Sequence, residues 1–126
     1  AMSLLHANSH GSNNHLLNLS IGQQQLQLPA PQHGDTASYS PTSYRLRIQA
    51  RDVALSLTPL NDSSVSNQLQ VSISGFNSAP HPAETLVHLK LEGQPLQALL
   101  TKQSVERLGL QIGQPVFAQI KAVALD

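Results

Sequence analysis

The sequence contains no cysteine, which excludes disulfides and thiolate metal sites. It is also poor in charge. Lys, Arg, Asp and Glu make up 11% of the chain, against about a quarter in ordinary domains. The seven basic and seven acidic side chains cancel, so no positive excess exists to neutralise a phosphate backbone, and nucleic acid is not an expected partner. No apolar run approaches the roughly 18 residues that cross a bilayer. The opening AMSLLHANSHGSNNH lacks a basic start and a long apolar core, and does not read as a signal peptide. Ala1 ahead of Met2 reads as an added residue on a piece of something longer. There is no G-x-x-x-x-G-K-[ST] and no Gly-Lys pair, so this chain holds no ATP by a P-loop. Neither G-x-S-x-G nor H-E-x-x-H occurs, and with few carboxylates an acid–base pair is hard to assemble. The chain is therefore expected not to be an enzyme.

A length of 126 residues suits one compact unit or two very small ones, each marginal alone. The remaining polarity is Ser, Asn, Gln and Thr, a surface that repels itself weakly and permits self-association. Residues 1–14 are small and polar and read as a flexible tail or linker. Leu17, Leu19 and Ile21 alternate with polar neighbours, as do Leu26 and Leu28 after Gly22-Gln23, which predicts a hairpin. Residues 29–43 carry Pro29, Pro31, Gly34 and Pro41 and read as a loop. Tyr44, Leu46, Ile48 and Ala50 share one strand face, with Arg45, Arg47 and Arg51 on the solvated other. Val53, Leu55 and Leu57 give the next strand. Residues 15–59 form a first β subdomain on this reading, and 60–126 a second.

In the second part, Leu69, Val71 and Ile73 point inward, a loop covers 76–84, and Val87, Leu89 and Leu91 alternate with His88, Lys90 and Glu92. The single convincing helix is TKQSVERLG, N-capped by Thr101 and closed by Gly109 in the left-handed conformation. About nine short strands and one short helix predict an all-β chain of small-barrel habit. His6, His10, His15, His33, His81 and His88 show no tight ligand spacing with a carboxylate and read as surface histidines, so no metal is expected.

Two segments carry a resemblance. Ser63-Ser64-Val65-Ser66-Asn67-Gln68-Leu69 is similar to the Thr-Ser-Ala-Arg-Asn-Gln-Leu that opens Mop/TOBE modules. Leu100-Thr101-Lys102-Gln103-Ser104 through Leu108-Gly109-Leu110, Gly113 and Ala118-Gln119-Ile120-Lys121-Ala122 resembles that family's Ile-Thr-x-x-Ser-x-x-x-Leu-Gly-Leu, Gly and Ala-x-Ile-Lys-Ala. It covers about residues 62–126. The upstream Arg-Ile-Gln-Ala-Arg-Asp-Val looks like the region that joins the nucleotide-binding domain to the module in ATPase subunits of molybdate importers. The resemblance implies an OB-like fold of the Mop/TOBE type that senses an oxyanion, molybdate or tungstate, at a homodimer junction. Its ligand residues map to Ser64, Ser66, Asn67, Thr101, Lys121 and Ala122, with Ser104 a further candidate. It also implies ATPase and membrane subunits as partners in the full-length protein, and a place on the cytoplasmic face of the bacterial inner membrane for a part that is itself soluble.

The chemistry is coherent on its own. A tetrahedral dianion needs several N–H and O–H donors and a cation in a small concave site. Two departures count against it. Ser66 stands where the family has Arg, and Val123 and Ala124 lack hydroxyls that some members carry. A ligand-free dimerisation module and a free-standing molybdate storage or regulator protein remain open. Read without the resemblance, Ser64, Ser66 and Asn67 are turn chemistry, Thr101 is an N-cap and Lys121 is a solvated strand lysine.

Overall fold

The computed structural model describes residues 1–31 and 41–126. The chain is all-β there, with ten strands and one helix among the described residues. The strands are β1 (Met2–Asn13), β2 (Leu16–Ile21), β3 (Gln24–Pro29), β4 (Ser43–Gln49), β5 (Val53–Ser56), β6 (Gln68–Ser78), β7 (Glu84–Leu91), β8 (Gln94–Thr101), β9 (Pro115–Ile120) and β10 (Ala124–Leu125). Helix α1 is Lys102–Leu108, and a 3-10 turn at Ala50–Asp52 separates β4 from β5. Residues 32–40, most of the expected 29–43 loop and including His33, lie outside the described residues.

Alternation decides which residues are strands and which face is core. Leu17, Leu19 and Ile21 on β2, Leu26 and Leu28 on β3, and Leu46 and Ile48 on β4 are all buried. The residues between them are not. The hairpin turns at Gly22-Gln23, and Gly22 has φ +58°. Helix α1 also forms as its caps predict. Thr101 Oγ1 accepts from Ser104 N–H, and Gly109 closes the helix at φ 64°.

The largest departure is at the start of the chain. Residues 1–14 are no tail. Met2–Asn13 is a central strand of its sheet, between β4 and β2. Its inward residues are Ser3, Leu5 and Ala7, all buried. Two of the three are small, so the face carries little hydrophobic signal. Its outward residues include Met2 and Leu4, both more than two-fifths exposed, which blurs the alternation further. The expected 76–84 loop is also shorter, because β6 continues to Ser78. At the other end of its segment Leu57 falls just outside β5 and is exposed.

The two sheets have the same plan. One is ordered β10-β4-β1-β2-β3, the other β5-β9-β6-β7-β8. The correspondence extends to sequence. Ile48-Gln49-Ala50 answers Ile120-Lys121-Ala122, and Val53-Ala54-Leu55 answers Val123-Ala124-Leu125. Each repeat lends its last strand to the other. β5 follows β4 in the chain but pairs with β9, and β10 follows β9 but pairs with β4. A division at 59/60 therefore cuts across the sheets, and the buried apolar residues form one cluster drawn from both.

Side-chain amides stitch the sheets together where backbone pairing stops. Gln24 Nε2 donates to Gln70 O at 2.8 Å and Gln24 Oε1 accepts from Gln70 N at 2.7 Å. In the matching place Gln94 Nε2 donates to His6 O at 3.0 Å and its Oε1 accepts from His6 N at 2.7 Å. A primary amide offers one donor and one acceptor in the plane, as a peptide unit does, so each glutamine stands in for a strand residue. The hairpin tips are clamped as well. Glu92, itself at φ 49°, accepts from Gln24 Nε2 at 2.9 Å and Gln23 N at 3.3 Å. A Cβ at Gly22 would lie 2.2 Å from Glu92 Oε1. Gly22→Ala is therefore expected to cost about 1–2 kcal/mol for the left-handed backbone alone, and more as the clamp opens. Urea unfolding measures it, and a loss no larger than the backbone cost would show that the clamp adds nothing.

Candidate functional site

The entrance to β6 and the end of β9 lie side by side, since Ile120 N donates to Asn67 O at 2.9 Å. That pairing brings the two resembling segments together. Ser66, Asn67, Lys121 and Ala122 line one cleft of about 440 Å³, whose other wall is Gln27 and Pro29 of β3. Lys121 is exposed and supplies the positive charge, and no carboxylate lines the cleft. Its backbone N–H donates to Asp52 O at 2.8 Å, which fixes the strand end from which the side chain projects. Ser66 is exposed and lines the same space. The Ala122 N–H makes no hydrogen bond within the described residues. The corresponding Ala50 N–H in the first repeat is taken by Ala1 O at 2.9 Å. The cleft thus gathers an ammonium, a hydroxyl and an unused backbone donor, a set suited to an anion.

Asn67 has another task. Its Nδ2 donates to Gln27 O at 2.8 Å and its Oδ1 accepts from Gln27 N at 2.9 Å. Both polar atoms of the amide are bound to the β3 edge, so Asn67 shapes the wall. Ser64 does not line the cleft and lies on an exposed turn, next to the bond from Val65 N to Ser63 Oγ at 3.1 Å. Thr101 and Ser104 lie elsewhere, at the junction of β8 and α1, and do not line this cleft. Their hydroxyls are joined to one another, with Thr101 Oγ1 donating to Ser104 Oγ at 2.9 Å. Four of the seven expected residues come together within the chain; Ser64, Thr101 and Ser104 do not.

Gln27 was not expected at the site. Its role comes from a contact between residues 40 positions apart, and nothing in its local pattern distinguishes it from Gln23 or Gln25. The Arg45/Arg47 stripe is solvated as expected, but it is also neutralised in part. Asp126 bonds Arg45 through Nε at 2.6 Å and approaches Arg47 Nε at 3.5 Å. Among the described residues no group of His, Asp or Glu is arranged to hold a metal.

Known proteins resemble this chain in sequence and in fold. The TOBE domain family matches residues 63–126. The molybdenum import ATP-binding protein ModC 1 of Azotobacter vinelandii is 46% identical over 81 residues, which is 64% of this chain and 22% of that protein. The ModC protein of Pseudomonas fluorescens is 40% identical over 104 residues, 79% of this chain and 29% of that one. This chain thus spans under a third of the length of these relatives. A crystal structure of the cytoplasmic molybdate-binding protein ModG, with molybdate bound, superposes with a TM-score of 0.70 over 97% of this chain and 93% of that one. At 19% identity it speaks to the fold.

Proposed function

This chain belongs to the TOBE domain family, and from that premise we propose that it is the oxyanion-sensing regulatory part of a molybdate importer's ATPase subunit. The observation that carries this reading is the cleft lined by Lys121, Ser66 and Ala122, whose N–H is unbonded among the described residues. Molybdate and tungstate are tetrahedral dianions, and such an ion takes donors from several directions. The relatives that match are named as molybdenum import ATP-binding proteins, which favours molybdate over other tetrahedral ions.

Completion of the site requires a second copy. Thr101 and Ser104 lie outside the cleft in one chain, and a homodimer that brings the partner's β8–α1 junction to Lys121 adds their hydroxyls. Binding at such a junction favours one relative arrangement of two subunits. In the full-length protein that arrangement restrains the ATPase while the anion is plentiful, a population shift driven by differential affinity. The ATPase and membrane subunits of the importer are then the wider partners, and the cytoplasmic face of the inner membrane is the place. No helix among the described residues is long and apolar enough to cross a membrane.

Calorimetry of the chain with molybdate, tungstate and sulfate tests the reading. Heat with molybdate and none with sulfate is the expected result, and no heat with any ion removes the sensing role. Ser66→Arg restores a cation at the cleft mouth and should tighten molybdate binding about tenfold or more, the worth of one charge-assisted hydrogen bond. The second reading, a dimerisation module without ligand, is favoured by Ser66 itself, since the cleft has one cation where two would stand. A dimer in light scattering whose melting does not respond to molybdate would support it.

A further inference from the structure

The repeated plan allows one half of the chain to serve as a control for the other. On the outer face of each sheet, the central strand bulges. β1 shifts register against β2 between Ser9 and Ser12, and β6 shifts against β7 between Ile73 and Gly75. A depression lies beside each bulge, of about 410 Å³ on the first sheet and about 400 Å³ on the second. Equivalent strand positions line both, but with different chemistry.

On the first sheet the polar side chains at the corresponding positions are paired with one another. Gln27 Nε2 donates to Asn18 Oδ1 at 2.6 Å, and His10 Nε2 pairs with Ser20 Oγ at 2.8 Å. On the second sheet the place of Asn18 is taken by His88 and that of Ser20 by Lys90. Gln97 Nε2 lies 3.4 Å from His88 Nδ1. With the amide nitrogen donating, Nδ1 accepts, and in that tautomer a neutral ring carries its proton on Nε2. That Nε2 is the one buried side-chain nitrogen or oxygen without a hydrogen bond among the described residues. A buried donor left unmet is a standing cost, and a group that meets it gains correspondingly. Lys90 is exposed two residues along the same strand face and lines the same depression, and none of the described salt bridges involves it. Gly75, opposite His88, adds no side chain, and a Cβ there would meet nothing within 4 Å.

We propose that this depression binds a small oxygen-bearing anion, a carboxylate or a phosphate monoester, with one oxygen on His88 Nε2–H and another on the Lys90 ammonium. The unmet donor asks for an acceptor, and the neighbouring cation selects a negative one. Solvent does not reach Nε2 in the unliganded arrangement. Gln97 is held at the other ring nitrogen, Nδ1, and a rotation of the ring or a shift of the exposed Lys90 side chain would admit the ligand oxygen. The site is separate from the Lys121 cleft and does not depend on molybdate binding there.

The test follows the His88 ring nitrogen and Hε1 resonances in the 126-residue chain during separate titrations with sodium acetate and inorganic phosphate. Sodium chloride at matched ionic strength is the control. A saturable shift beyond the chloride response is expected. Acetate acting alone identifies a carboxylate site, and phosphate acting more tightly identifies a phosphate site. His88→Asn and Lys90→Ser place on the second sheet the residues that the first sheet carries at these positions, so both should fold. Lys90→Ser should weaken the response at least about tenfold. A ring that neither anion moves beyond chloride, or that moves equally in Lys90→Ser, overturns the proposal.

Discussion

Replacing Leu5 by Ala is expected to destabilise the chain by about 2–5 kcal/mol, the range for a fully buried leucine. Leu5 is 0% exposed, faces Leu46 across the β1–β4 pairing and belongs to the single buried cluster. Its strand holds the first sheet together, because β4 and β2 meet only through β1. The expected result in urea is a lower midpoint with an unchanged slope. The outcome discriminates sharply. If residues 1–14 were a tail, Leu5→Ala would change nothing, and so would removal of the segment.

Lys121→Ala is expected to weaken molybdate binding about ten- to a hundredfold, because it removes the cleft's one cation and with it a charge-assisted hydrogen bond worth about 1.5–3 kcal/mol. Stability should hardly change. Lys121 is exposed, and its structural bond is made by the backbone N–H to Asp52 O, which alanine keeps. Calorimetry and urea unfolding on the same variant separate the two effects. Equal affinity in wild type and variant would remove Lys121 from the site, and a large loss of stability would show that the ammonium serves the fold. Asn67→Ala should not separate the two effects. It breaks two bonds to the β3 edge and should lower stability as well as affinity.

What could be read in the sequence was local. The β2–β3 hairpin follows from five leucines and isoleucines at alternate positions around Gly22-Gln23. Helix α1 follows from Thr101 and Gly109 at its ends. Both signals lie within a few residues of the structure they specify. β1 escaped notice because Ser3 and Ala7 fill its inner face and Met2 and Leu4 sit on its outer one, so its burial is a property of what packs on it. The cleft was legible in part. Ser66, Asn67, Lys121 and Ala122 stood out through the resemblance, while Gln27 and the amide pairs depend on contacts between strands far apart in the chain. Thr101 carries the right motif, yet its hydroxyl caps α1 within the chain, a distinction that only geometry makes.

The exchange of β5 and β10 bears on how the protein is made. The strand that borders β4 in the first sheet is Ala124–Leu125, and the strand beside β9 in the second is Val53–Ser56. The first sheet is not complete until Ala124–Leu125 has been made, and the second not until Pro115–Ile120 has. The early half waits with an open β4 edge that could pair with another nascent chain, and the late half needs a strand made long before it. Pairings over such separations make for slow folding and a single cooperative transition. A destabilising change in either repeat should therefore be felt as a loss of the whole chain.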